Sequence, residues 1–93
     1  MKIATIVGHV TLNQCLPEFQ GATLKIGIPM KLEELKGGTA SGSEFVVLWD
    51  ELGAACNTII ALSESAEAAR PFRPAQKPVD AYNAAILENI ELI

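Results

Sequence analysis

The 93-residue chain holds one histidine, two cysteines and no run of basic residues. Each scarcity excludes something. With only His9, and no cysteine beside it, a nitrogen–sulfur metal site has no ligand set, so no metal is expected. A Ser-His-Asp arrangement would need His9 to meet Asp50 or Asp80 and one of Ser41, Ser43, Ser63 or Ser65, and nothing in the pattern supports that. His9 reads instead as an ordinary strand-face residue. No catalytic residue and no cofactor is expected.

Basic side chains are few and dispersed. Lys2, Lys25, Lys31, Lys36, Arg70, Arg73 and Lys77 stand against 11 Asp and Glu, for a net charge of −4 and a pI near 4.8. Nucleic-acid binding neutralises several phosphates at once, so no nucleic-acid partner is expected. An anionic membrane surface is disfavoured for the same reason. Long apolar runs are also missing. The opening MKIATIVGHVTLNQ is interrupted by Gly8, His9, Thr11 and Asn13, which suits neither a secretion signal nor a bilayer span. A cytoplasmic protein is expected. Cys15 and Cys56, far apart and without a partner motif, are expected to be free thiols buried as small apolar side chains. The five aromatics, Phe19, Phe45, Trp49, Phe72 and Tyr82, are not interleaved with cations as a base-stacking platform would be.

What the chain does have is apolar content. Hydrophobic residues make up 49% and charged residues only 19%, with a mean hydropathy of +0.28. A single domain of this size buries only about 60–65% of its unfolded surface. One domain over residues 1–93, associating with other subunits, accounts for both facts better than a lone globule does.

Periodicity mostly says strand. Residues 2–12 are rich in β-branched side chains, and the uniformly apolar set Ala4, Ile6, Gly8, Val10 and Leu12 is assigned to the core. Pro17 and Gly21 make 14–22 a loop. Residues 23–30 alternate Leu24, Ile26 and Ile28 against Thr23, Lys25 and Gly27, and Pro29 marks an edge or strand end. KLEELK at 31–36 suits a helical turn ended by Gly37 and Gly38, with a flexible loop at 39–43. The stretch Gly37 to Gly42 looks superficially like a phosphate loop but lacks the Gly-Lys-Ser/Thr that chemistry requires.

Residues 45–62, FVVLWDELGAACNTIIAL, form the most informative stretch. Two apolar strands, 44–49 and 58–62, flank a small-residue turn at Asp50–Ala55 where backbone can approach a ligand or another copy closely. Adjacent Asp50 and Glu51 point apart on an extended backbone, which suits a turn or surface charge better than acid–base work. SESAEAAR at 63–70 reads as an α-helix capped by Ser63 or Ser65 and stopped by Pro71, followed by an extended Pro-rich loop through 78. Phe72, in that loop beside Arg70 and Arg73, is a candidate contact with a neighbouring subunit. Core or interface packing is expected of Phe45 and Tyr82. Residues 79–93 carry both helical composition and the alternation Ala84, Ile86, Glu88, Ile90 and Leu92; strand is chosen for most of it, as the closing partner of a small antiparallel β-barrel.

In order, several segments resemble the EutN/CcmL family, the pentameric vertex proteins of bacterial microcompartment shells. Met1, Lys2, Ile3, Ala4, Gly8 and Val10 match its opening strand, and TLKIGIP resembles its second. Asp50-Glu51-Leu52-Gly53-Ala54-Ala55 resembles the family's Asp-x-hydrophobic-Gly-Ala-Gly turn. Ser65-Ala66 falls at its small helix start, and Pro78-Val79-Asp80-Ala81 with Ala85 to Ile90 resembles its closing strand. Departures are Ala55 for the last Gly, Asn57-Thr58 for Gly-Glu, a loosened Ser63 to Glu67 with Arg70 displaced, and Ala85 for a Gly.

The resemblance implies a closed barrel related to the oligonucleotide-binding fold, with a short helix near 63–70. It implies a non-enzymatic homopentamer that caps shell vertices and docks against hexameric shell proteins. Gly53, Ala54 and Ala55 would form a pore or subunit-interface turn, with Phe72 and Arg70 at an interface. The alternative is a barrel of the same class binding nucleic acid or a small ligand.

Overall fold

A computed structural model of the chain describes residues 1–12, 15–37, 42, 44–75 and 79–92. The elements are β1 (Lys2–Val10), a 3-10 turn (Pro17–Phe19), β2 (Leu24–Pro29), α1 (Leu32–Gly37), β3 (Val46–Trp49), β4 (Ile59–Glu64), a 3-10 run (Ser65–Phe72) and β5 (Ala81–Ile86). The strands close into a barrel in the order β1-β2-β3-β5-β4. The pairings are antiparallel except where β3 meets β5, a parallel contact registered only at Trp49 and Tyr82. That short parallel seam is the weak point of the barrel wall, and the turn after β3 lies beside it.

The core is small. Ala4, Ile6, Leu48, Ala54, Ile60, Leu62 and Ala81 form it, with Val46 packed against them. In β1 the core assignment holds for Ala4 and Ile6 but does not extend along the strand. A register irregularity between Ile6 and Gly8 shifts the pairing, so that Gly8 lies opposite Ile26 and Val10 opposite Leu24. A bulge inserts one unpaired residue, disrupts the ladder locally and bends the strand. Gly8 and Val10 are accordingly only half-buried, and Leu12, beyond the strand, is exposed.

β2 is inverted relative to its hydrophobic alternation. Gly27 is buried against Leu48, whose Cδ2 would lie 2.9 Å from an added Cβ, and Lys25 lies in register with Leu48 on the same inward face. A side chain there would force the buried leucine's terminal methyl aside. Ile26 and Ile28 are half-buried, and Leu24 packs into a second apolar layer outside the barrel. Pro29 ends the strand, as expected.

That second layer gathers four of the five aromatics. Trp49 is stacked on Phe19 at 6.0 Å and meets Phe72 edge-on at 4.7 Å, and Phe72 in turn meets Tyr82 at 5.4 Å. Phe45 is 67% exposed, so within the subunit it is not a core residue. Both cysteines are exposed rather than buried. Cys15 sits in the connection after β1 and Cys56 in the turn before β4, where the chain runs over the surface.

The helical segment near 63–70 is present as a 3-10 run shifted to Ser65–Phe72, with Pro71 inside it. Tertiary pairing overrides the local α propensity: Ser63 and Glu64 are held in β4 opposite Tyr82 and Ala81. No serine caps the run. Ser65 takes a positive φ of 61° and its N–H donates to the Asp80 carbonyl at 2.8 Å. Strand in the C-terminal segment covers Ala81–Ile86, with Ala81 and Asn83 inward and Ala84 and Ile86 exposed. α1 matches the expected helical turn. Gly38, the remainder of the 39–43 loop other than Gly42, and residues 76–78 lie outside the described residues. No helix among the described residues is long and apolar enough to cross a membrane.

Candidate functional site

The turn after β3 is built around one carboxylate. Asp50 is 2% exposed. Its Oδ1 accepts from the Leu52 N–H at 3.0 Å and from Asn83 Nδ2 at 2.9 Å. Its Oδ2 accepts from the Ala54 N–H at 2.8 Å, with Lys25 Nζ 3.9 Å away. Lys25 Nζ also donates to the Ala54 carbonyl at 3.0 Å. Backbone from the turn, side chains from β2 and β5, and the end of β3 thus converge on Asp50. The Asp50–Asn83 bond ties β3 to β5 across the seam where their backbones pair only once.

Burial by itself raises the Asp50 pKa, but the hydrogen bonds from Asn83, Ala54 and Leu52 and the positive charge of Lys25 outweigh it. The carboxyl is held below its ordinary 3.8. A buried anion that accepts three hydrogen bonds and faces an ammonium is committed to the loop around it. Its chemistry is structural, and it rigidifies the loop it holds. The turn explanation for Asp50 therefore stands, whereas the surface-charge explanation fits only exposed Glu51, which accepts from the Tyr82 hydroxyl at 3.1 Å. Burial, then that bond to Glu51, pushes the Tyr82 phenol above 10.0.

Each expected site residue has a definite place. Gly53 is exposed at φ 74°, a conformation that a side chain would strain. Ala54 is fully buried and belongs to the core cluster, so it supports the turn from beneath. Ala55 is exposed, and its carbonyl accepts from the Thr58 N–H at 3.1 Å as the chain enters β4. Arg70 is exposed near the end of the 3-10 run, and Phe72 is half-buried between Trp49 and Tyr82. The structure therefore brings Gly53, Ala54 and Ala55 together, and Phe72 reaches the seam through Trp49 and Tyr82.

Lys25 and Asn83 hold the turn in place, and the pattern alone did not mark them. A signal exists for Asn83: it is a polar residue in the apolar stretch AYNAAIL, at the position that faces inward. Among the described residues, no cluster of three or more His, Cys, Asp or Glu is placed to hold a metal ion.

Beside the turn, an apolar groove of about 450 Å³ runs outside the barrel, with Leu12, Leu16, Phe19, Leu24, Val47 and Trp49 among its walls.

Comparison with known proteins gives a consistent result. Residues 1–88 match the family model described as "Ethanolamine utilisation protein EutN/carboxysome". No curated protein matches the chain. Among solved structures, the GrpN pentameric microcompartment shell protein from Rhodospirillum rubrum is similar at 18% identity, covering 100% of both chains with a TM-score of 0.83. CcmL of Gloeobacter violaceus is 20% identical over 99% of this chain and 90% of its own, with a TM-score of 0.86. CcmL of Nostoc sp. PCC 7120 is 25% identical over 97% and 92%, with a TM-score of 0.83. At such identities the first two establish a shared fold.

Proposed function

This chain belongs to the EutN/CcmL family, and from that premise we propose that five copies close into a ring capping the vertices of a bacterial microcompartment shell. The observation that carries the reading is the family match over residues 1–88, joined to a closed barrel that superimposes end to end on a pentameric shell protein. Geometry supplies the logic. Flat sheets of hexamers need five-fold points to close into a polyhedron, and a cyclic ring repeats one heterologous contact until it closes.

The role is structural. Asp50, the one buried acid among the described residues, is committed to holding a turn. In this reading Gly53 and Ala55 meet a neighbouring subunit or line the ring axis, and buried Ala54 holds the turn from the core side. Phe72 and exposed Arg70 belong to a subunit contact next to Trp49. The ring docks against hexameric shell proteins in the cytoplasm. The nucleic-acid alternative gains nothing from a surface with a net charge of −4.

The test is imaging. Shells assembled from hexameric shell proteins together with this chain, reconstructed by cryo-electron microscopy, are expected to show it at the five-fold points. Density for the chain within the flat facets, or free in the lumen, would overturn the vertex reading.

A further inference from the structure

We propose that the apolar groove outside the barrel is the seat of a second copy of this chain, the acceptor half of the ring contact; this rests on the ring of five proposed above. The groove is bounded by the connection after β1, with Leu12, Leu16 and Phe19, and by Leu24, Val47 and Trp49 of β2 and β3. Three of its walls face solvent in the single chain: Leu12 at 41%, Leu16 at 57% and Val47 at 43% exposed. Large apolar side chains gathered in one concave place mark an interaction surface rather than a scattered surface residue.

Three observations select a second copy as the occupant. First, the chain exposes too much surface for a free globule. Its accessible area is 6310 Å², whereas a compact monomer of 9.9 kDa exposes about 5,200 Å². The excess, about 1,100 Å², is of the order that one partner contributes to a stable protein contact. Second, among the described residues of the lining Asp80 is the only charged one, and the walls are otherwise apolar, as suits an apolar segment of another subunit more than a polyanion or a charged peptide. Third, the chain carries further exposed apolar side chains outside the groove, including Leu52 at 50% and Ile86 at 44%. A heterologous ring contact needs two different faces on every subunit, one receiving and one inserted, and this chain has apolar side chains for both.

The groove also contains its own reporter. Cys15 lines it, and an exposed thiol reacts with a maleimide as fast as the probe can reach it. In a Cys56→Ser background Cys15 is the only thiol. The experiment compares that protein with the same protein carrying Val47→Glu, and with one carrying Leu32→Glu on α1, outside the groove. Mass is read by native mass spectrometry, folding by far-ultraviolet circular dichroism, and labelling by the rate of maleimide addition.

The expected result is a five-subunit parent in which Cys15 labels at least ten times more slowly than in the urea-unfolded chain. Val47→Glu should give a folded, mainly monomeric protein whose Cys15 labels fast, and Leu32→Glu should behave as the parent. A five-subunit parent with freely labelled Cys15, or a Val47→Glu protein that keeps five subunits, would overturn the groove as the contact while leaving the ring intact. A parent that is monomeric at every concentration would overturn both.

Discussion

Replacing Asp50 by Asn tests how the turn is held. The substitution keeps the shape and removes the charge. The amide oxygen can still accept from Leu52 and Asn83, but the new NH₂ faces the Ala54 N–H and the Lys25 ammonium, both donors. One charge-assisted hydrogen bond and one ion pair are lost, and a buried N–H is left without an acceptor. Bonds to charged groups contribute about 1.5–3 kcal/mol and an orphaned buried donor costs about 1–3 kcal/mol, so a loss of about 2–4 kcal/mol is expected. That is a large part of the roughly 5–15 kcal/mol that holds a small domain together.

Urea unfolding followed by fluorescence reads this directly, because Trp49 is the only tryptophan and adjoins Asp50. At equal subunit concentration the midpoint should fall by roughly 2 M urea. The pH dependence gives a second check. Because the native pKa lies below 3.8, the Asp50 anion contributes its stability above that value and loses it as pH falls through the native pKa. The gap between parent and Asp50→Asn should therefore be widest near neutrality and narrow in acid. Equal midpoints at neutral pH, or a gap that stays constant from about pH 7 to about pH 2, would refute the carboxylate as the turn's anchor.

Two further outcomes follow from close contacts. Gly27→Ala would push a Cβ to 2.9 Å from Leu48 Cδ2, and overpacking of this kind costs about 1–3 kcal/mol. The urea midpoint should drop accordingly, and pairing it with Leu48→Val should restore part of the loss, a coupling absent if the two positions are independent. Tyr82 is the only tyrosine, so absorbance at alkaline pH should show it ionising above 10.0. Glu51→Gln should bring the midpoint down toward that value, and no movement would remove Glu51 from the account.

Much of the barrel was legible because its strands are short and rich in β-branched residues. Ala4 and Ile6 in β1, Pro29 at the end of β2 and the Gly53 turn all follow from local chemistry. The misread features share a cause, which is information held by a distant partner. The bulge after Ile6 leaves Gly8 and Val10 only half-buried, and only the register against β2 reveals it. Gly27 faces inward because Leu48 needs its space, so the apolar alternation of β2 marks the outer layer. Ser63 and Glu64 have helical neighbours yet pair with β5. In β5 the polar Asn83 points inward to meet Asp50, and a register irregularity between Ala61 and Leu62 leaves exposed Ala84 without a partner in β4.

The site was half visible. The small-residue turn announces itself, but the Asp50–Asn83 and Lys25–Ala54 bonds span 33 and 29 residues. Neither spacing leaves a periodic trace. The exposed cysteines went unread for a simpler reason: both fall in connections, where burial depends on what the assembly covers.

The vertex role stands on a ring of five, and native mass spectrometry of the purified chain counts its subunits. One dominant species of about 50 kDa is expected, five times the 9.9 kDa subunit. A chain that stays at its single-subunit mass across the concentration range, or a ring of another number, would contradict it.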